Sequence, residues 1–134
     1  MRSFLLILLC IFTAGCSGHP KAAGGVDLDF TNMSATMVYA EIYNMTTIPG
    51  EYLGKTVKAD GSYDVTRYDG QYYHFIIIED ASACCQQGLE FRLDGDYGYP
   101  RREEKIEVTG VFESYDMLGD TYYYLAVDDI TVLE

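Results

Sequence analysis

Residues 55–65 read KTVKADGSYDV and alternate between apolar and polar side chains along most of their length. In an extended chain, one face carries Val57, Ala59, Gly61, Tyr63 and Val65. The opposite face carries Lys58, Asp60, Ser62 and Asp64. Because successive side chains of a strand point to opposite faces, this period of two predicts a half-buried β-strand. Gly61 in its middle predicts a bend, since a glycine inside a strand often marks one.

Four further strands are predicted downstream of this stretch. Residues 72–79 (YYHFIIIE) are apolar on both faces, which is typical of a central strand. The turn signal Asp69-Gly70 joins this strand to the first one as a hairpin. The remaining strands are expected over residues 89–93, 106–112 and 123–127, with 130–133 as an extension of the last. A turn at Leu118-Gly119-Asp120 separates the fourth strand from the fifth.

Upstream of the strands, residues 34–46 carry the pattern of a helix. Met33, Met37 and Ala40 recur at spacings of three and four residues, as on one helix face. Ser34 is suited to the N-cap, and Pro49 ends the pattern. With glycines inside two of the strands, the sequence predicts a mainly β fold: a small five-stranded barrel with one N-terminal helix.

Two of the strand segments resemble those of OB-fold domains. Residues 52–61 (YLGKTVKADG) are similar to the first OB strand, and residues 106–110 (IEVTG) to the start of the closing hairpin. This resemblance implies an OB-like barrel domain over residues 31–134. By fold-level analogy, it also implies ligand binding along the sheet face and its loops. A helix ahead of the first strand and only a short loop at residues 95–104 depart from the common OB arrangement.

Residues 37–134, which are most of the mature domain, also resemble a group of uncharacterised small bacterial lipoproteins. The shared segments are residues 37–41 (MVYAE), 52–55 (YLGK) and 84–91 (CCQQGLEF). The segment that contains the cysteine pair is the most specific of the three. This resemblance implies a fold and a location but no particular activity.

The first 16 residues read MRSFLLILLCIFTAGC and have the layout of an export signal. Arg2 precedes an apolar run over residues 4–12, which is shorter than the roughly 20 residues of a membrane-spanning helix. The ending at residues 13–16 (TAGC) resembles the bacterial lipobox, in which the cysteine is lipidated and becomes the first mature residue. A leucine usually stands in the lipobox where this chain has Thr13.

The lipobox resemblance predicts the organisation of the N-terminal part. Residues 1–15 are expected to be a lipoprotein signal peptide, Cys16 the lipidation site, and residues 16–30 a flexible tether. The protein is then extracytoplasmic and anchored by lipid to a bacterial membrane. An ordinary cleaved signal and a weak membrane anchor are the alternative interpretations.

The part that follows the predicted signal is strongly acidic. The whole chain has 9 basic and 21 acidic residues and a formal charge of −12. Residues 1–15 hold one basic residue, Arg2, and no acid, so removing them leaves 8 basic and 21 acidic residues and a charge of −13. Because nucleic-acid binding depends on cations that neutralise phosphates, a nucleic-acid partner is not expected. The membrane is expected to be contacted through the lipid alone.

The same cleavage leaves Cys84 and Cys85 as the thiols of the domain. In one interpretation they bind zinc or a similar metal ion together with His74, Asp80 or Glu90, although paired zinc cysteines usually lie two to four residues apart. In a second they form a strained vicinal disulfide, which an exported setting favours. In a third they are small buried hydrophobic residues in a tight turn.

The sequence contains no pattern that indicates catalysis. No G-x-S-x-G motif is present, and His74 is expected to be a satisfied, partly buried strand residue. The 13 tyrosines suit strands, and those left exposed offer contact surface to a peptide, glycan or envelope protein. We therefore expect a non-catalytic binding or accessory module, without a bound cofactor. The alternative is a metal-handling lipoprotein that binds zinc through Cys84, Cys85 and His74.

Overall fold

The computed structural model describes residues 25–95 and 98–134, which form one mixed β-sheet and one α-helix. The elements are, in chain order, β1 (Leu28–Asp29), α1 (Ala35–Thr47), β2 (Thr56–Tyr68), β3 (Gln71–Glu79), β4 (Gln86–Leu93), β5 (Lys105–Met117) and β6 (Asp120–Val132). The mainly β fold and the N-terminal helix are thereby confirmed. The sheet has six strands rather than five, since the two-residue strand β1 has no pattern that marks it in the sequence.

The long strand β2, which is the first strand predicted from the sequence, pairs with two other long strands along its length. Its first half, Thr56–Ser62, pairs with β5, and its second half, Ser62–Tyr68, pairs with β3. The other pairs are β3 with β4, β4 with β6, and β6 with β5. Only β4–β6 and the short β1–β2 pair are parallel among the described strands. Each of the five long strands therefore pairs with two other long strands, and β2 also pairs with β1.

Both predicted turns are present, and each has two residues between the paired strand ends. Asp69 and Gly70 have φ values of 46° and 80°, and Leu118 and Gly119 have values of 56° and 94°. Positive φ at both central residues is the mark of the hairpin turn whose twist matches the flanking strands. The register follows from these turns, with Tyr68 opposite Gln71 and Met117 opposite Asp120.

Two glycines permit close contact between strands. A Cβ on Gly61 would lie 2.5 Å from Ile76 Cγ2 and 2.6 Å from the carbonyl oxygen of Ile77. A Cβ on Gly110 would lie 2.5 Å from the carbonyl oxygen of Ala126, next to an irregularity of the β5 register. Gly61 lies where β2 changes partner from β5 to β3, so the bend predicted there coincides with the change of neighbour.

Helix α1 packs against the sheet through one face. Ser34 caps it by accepting a hydrogen bond from the Met37 N–H at 3.4 Å, as predicted. Val38, Ile42 and Met45 are buried and belong to the same core as the strand residues. The fully buried side chains of that core include Ile76, Phe91, Ile106, Phe112 and Leu125.

The folded part begins before residue 31. Leu28 and Asp29, within the segment predicted as a tether, pair with Val57 and Lys58, and Phe30 is buried in the core. The predicted signal peptide, Cys16 and the tether up to residue 24 lie outside the described residues. Among the described residues, no helix combines the length and apolar character needed to cross a membrane.

Candidate functional site

Cys84 and Cys85 lie in the loop that connects β3 to β4. The last pair of these strands is Glu79 with Gln86, so six residues make the connection at the end of a hairpin. Both cysteine side chains are exposed to solvent and both are free thiols. The third interpretation, in which they are small buried hydrophobic residues, is therefore wrong, since the loop extends beyond the last strand pair and nothing covers it among the described residues.

Asp80 holds this loop in shape. Its Oδ1 atom accepts hydrogen bonds from the backbone N–H groups of Ser82, Cys84 and Cys85 at 3.2, 3.1 and 3.4 Å. The backbone closes the loop as well, because the Asp80 N–H donates to the Cys85 carbonyl at 3.0 Å. Aspartate commonly bonds to backbone groups a few residues on and so stabilises turns of this kind.

Two effects act on the Asp80 carboxylate in opposite directions. Desolvation raises its pKa, but the hydrogen bonds donated by Ser82, Cys85 and Cys84 outweigh desolvation and leave the pKa below its usual value. Hydrogen bonds to the charged form favour that form. The carboxylate is thus negative and directed at the two cysteines.

The potential metal ligands of the loop lie close together. Cys84 Sγ is 3.6 Å from Cys85 Sγ and donates to Asp80 Oδ2 at 3.5 Å. The ligand atoms of Asp80, Cys84 and Cys85 all lie within 4.8 Å of one another. The sulfurs are not bonded, because a disulfide requires a separation of about 2.05 Å. The hydrogen bond with Cys84, desolvation and the charge of Asp80 raise the pKa of the Cys85 thiol.

His74, predicted as a further metal ligand, is not brought to the cysteines. It lies five residues before the last residue of β3, which is about 16 Å along an extended strand. The cysteines lie in the loop beyond that end of the strand. Its Nδ1 atom is 2.7 Å from the Tyr63 hydroxyl, and its ring stacks on Tyr99 with 3.5 Å between centroids. Burial lowers its pKa. His74 is the satisfied, partly buried strand residue that the sequence suggested.

Glu90, also considered as a ligand, belongs to a different cluster. Its carboxylate is buried, with Oε1 3.0 Å from Arg92 Nε and Oε2 accepting from the Tyr115 hydroxyl at 2.9 Å. The Arg92 guanidinium lies 3.7 Å from the centre of the Tyr115 ring and 4.6 Å from that of Tyr124. This cluster was missed from the sequence, because it depends on the order of β4, β6 and β5. Glu90, Arg92 and Tyr115 bond to one another, and the Tyr124 hydroxyl donates to Glu113 Oε2 at 2.7 Å.

Several tyrosines are exposed, as expected from their number. Tyr68, Tyr72 and Tyr122 are exposed, whereas Tyr63 and Tyr124 are buried. Within residues 122–124, Tyr124 is covered by the Arg92 guanidinium, which lies 4.6 Å from the centre of its ring. The exposed rings, which include Tyr43 and Tyr99, are spread over α1, the hairpin end of β2 and β3, the segment between β4 and β5, and the start of β6. They therefore do not define a single site.

No protein-family model matches this chain, and no curated protein matches it. Its function is therefore inferred from the side chains described above. Of the candidate residues, only Asp80, Cys84 and Cys85 form a group of metal-ligating atoms within the described part of the chain.

Proposed function

We propose that this protein is a lipid-anchored extracytoplasmic binding module without catalytic activity, and that it binds a thiophilic metal ion through Asp80, Cys84 and Cys85. The observation that carries the proposal is the grouping of two exposed thiols and a carboxylate within 4.8 Å. Thiolates are the ligands that zinc and other soft or borderline ions prefer, and carboxylates complete many such sites. His74 is not part of the proposed site.

The distances within the loop are compatible with coordination of one ion. With a zinc–sulfur bond of about 2.3 Å and a zinc–oxygen bond of about 2.1 Å, a tetrahedral angle places sulfur and oxygen about 3.6 Å apart. The observed separation of Cys84 Sγ from Asp80 Oδ2 is 3.5 Å. Adjacent cysteines can therefore serve here, because the Asp80 turn keeps both sulfurs within 4.8 Å of its own carboxylate.

Metal affinity of the reduced full chain tests this function. Competition with a chromophoric chelator is expected to give one zinc or cadmium ion per chain, and Cys84→Ser or Cys85→Ser is expected to lower the affinity at least about 100-fold. Glu79→Gln is the matched control, because it removes a charge beside the loop while its partner is Gln86 rather than a thiol. Equal affinity in the wild type and the double serine variant would overturn the proposal.

The barrel is proposed on the strand pairing. The sequence of pairs β2–β3–β4–β6–β5 returns to β2, which is the strand order of a closed OB-type barrel. The parallel β4–β6 pair and the change of partner at Gly61 support the same arrangement. In this arrangement the cysteine loop projects from the end of one hairpin and leaves the barrel core intact.

The lipid anchor is proposed on the sequence of residues 1–16 and on the resemblance to bacterial lipoproteins. Cys16→Ala is expected to shift the protein from the membrane fraction to the soluble one. Cys10→Ala is the matched control, because it alters a thiol of the same segment and leaves Cys16 in place. Membrane retention of the Cys16→Ala variant would show that the anchor is something else.

A further inference from the structure

The metal-binding loop offers an ion three ligands rather than four. Resting on the function proposed above, we infer that Asp80, Cys84 and Cys85 hold a divalent ion of the zinc type in an unfinished tetrahedral site. The fourth ligand comes from a histidine of a second protein, so that the ion passes between the two proteins by ligand exchange.

The separation of the two sulfurs selects the type of ion. An ion about 2.3 Å from each sulfur, with the sulfurs 3.6 Å apart, makes an S–metal–S angle of about 103°. This angle is close to tetrahedral. Linear coordination at the same bond length requires sulfurs about 4.6 Å apart. The loop therefore suits zinc, cadmium or cobalt(II) better than an ion held by two sulfurs in a line.

The backbone hydrogen bonds of the Asp80 carboxylate fall on one oxygen, whereas the Ser82 hydroxyl lies 3.0 Å from both oxygens. Oδ1 accepts from three backbone N–H groups of the loop. Oδ2 accepts from the Ser82 hydroxyl at 3.0 Å and from the Cys84 thiol at 3.5 Å. The Cys84 proton is lost when a metal binds, because the thiolate is the ligand. Oδ2 is then available as the third ligand while Oδ1 continues to hold the loop.

The fourth position faces solvent. Both cysteines are exposed, and the group contains no fourth histidine, cysteine or carboxylate among the described residues. Structural zinc sites are closed by four protein ligands, whereas sites that react keep one position for an outside ligand. A ligand of another molecule can therefore reach the ion while Cys84 and Cys85 still hold it.

The charge of the site favours a neutral incoming ligand. Two thiolates and one carboxylate bring three negative charges to an ion with two positive charges. A third thiolate adds a further negative charge, in a chain whose formal charge is already −12. An imidazole adds none and is a common zinc ligand. We therefore assign the fourth position to histidine.

The test uses the reduced full chain loaded with cobalt(II). The visible absorption of cobalt(II) depends on its ligands, whereas zinc has no such absorption. A thiolate-to-cobalt band is expected on loading, and free imidazole is expected to shift the cobalt bands saturably, with one imidazole per ion. In transfer to a histidine-containing peptide, doubling the peptide concentration is expected to double the initial rate. A cobalt band that imidazole leaves unchanged, with a transfer rate independent of the peptide, overturns the inference and leaves the metal function standing. Absence of the band overturns the metal function itself.

A variant that supplies the fourth ligand from within sharpens the test. The Ser82 hydroxyl lies 3.0 Å from Cys84 Sγ and 3.0 Å from Asp80 Oδ2, so a side chain at this position reaches the ligand group. Ser82→His is expected to retain cobalt, to lose the response to imidazole and to slow the transfer. Ser82→Ala removes the same hydroxyl without supplying an imidazole, and it is expected to keep the saturable response to imidazole even where its affinity for cobalt falls. If the Ser82→His variant binds cobalt and still responds to imidazole as strongly as the wild type, the fourth position is not open. If this variant does not bind cobalt, the titration of the wild type with imidazole decides alone.

Discussion

The Asp80 carboxylate has two tasks, and the hydrogen bonds of its two oxygens separate them. Oδ1 holds the backbone of the loop, and Oδ2 faces the Cys84 thiol. An asparagine keeps an oxygen that can accept the backbone bonds but loses the negative charge. An alanine loses both. The two substitutions therefore distinguish a ligand from a residue that only shapes the turn.

Asp80→Asn is accordingly expected to lower zinc affinity about tenfold or more while the loop amides keep their hydrogen-exchange protection. Asp80→Ala is expected to lower affinity further and to speed exchange of the Ser82, Cys84 and Cys85 amides. Chelator competition and exchange measured on the same samples check both expectations. Wild-type affinity in Asp80→Asn would show that the carboxylate is not a ligand.

Tyr115 and Tyr124, whose rings pack against Arg92, are expected to lose their hydroxyl protons at a higher pH than an unfolded tyrosine does. Desolvation, and then the hydrogen bond and charge of Glu90, raise the pKa of Tyr115 to about 12. Desolvation and the Glu113 carboxylate raise that of Tyr124 to about 12. An unfolded tyrosine loses its proton near pH 10, so between pH 10 and 12 the unfolded state holds fewer protons than the folded one. Stability should therefore fall as the pH rises through this window.

Ultraviolet absorbance of the phenolates follows this titration. Glu90→Gln removes the charge that faces Tyr115 and is expected to move the late titration step toward pH 10, whereas Tyr68→Phe, at an exposed site, leaves it in place. Ionisation of all tyrosines in one step near pH 10, with the chain still folded, would contradict the account of this cluster.

Among the elements, β2 depends on Gly61 at the point where it changes its neighbour. A side chain at Gly61 meets a backbone carbonyl of β3, which cannot move aside as a flexible side chain would. Gly61→Ala is expected to lower the free energy of unfolding by about 1–3 kcal/mol, measured by denaturant titration. Gly50→Ala is the control, because a Cβ there has nothing within 4 Å, and it should change stability by less than about 0.5 kcal/mol. Equal stability of the two variants would refute the close approach at Gly61.

The elements that the sequence predicts correctly are those with local signals. Alternation in β2, the Asp69-Gly70 turn and the Ser34 cap each depend on neighbouring residues, so they are visible without the fold. Strand β1 and the Glu90–Arg92–Tyr115 cluster depend on which strands are adjacent, which local patterns do not reveal. Cysteine is buried in most proteins, and this tendency wrongly favours a buried position for Cys84, which is exposed. Asp80 and Ser82, both turn-forming residues, were the available signal for an exposed loop.

At the scale of the whole molecule, the sheet supports a short exposed loop at the end of one hairpin. The core lies among the five long strands and α1, and none of its residues belongs to the metal-ligating group. The loop can therefore gain or lose an ion without rearrangement of the core. A chain with a formal charge of −12 also favours the approach of cations. Loss of the ion is thus expected to leave the core folded.

Metal analysis of the natively purified, reduced full chain tests the central claim most directly. One zinc-type ion per chain is expected in the wild type and in Glu79→Gln, and none in the Cys84→Ser/Cys85→Ser variant. Absence of stoichiometric metal from a folded wild-type chain with both thiols reduced would contradict the claim that Asp80, Cys84 and Cys85 form a metal site.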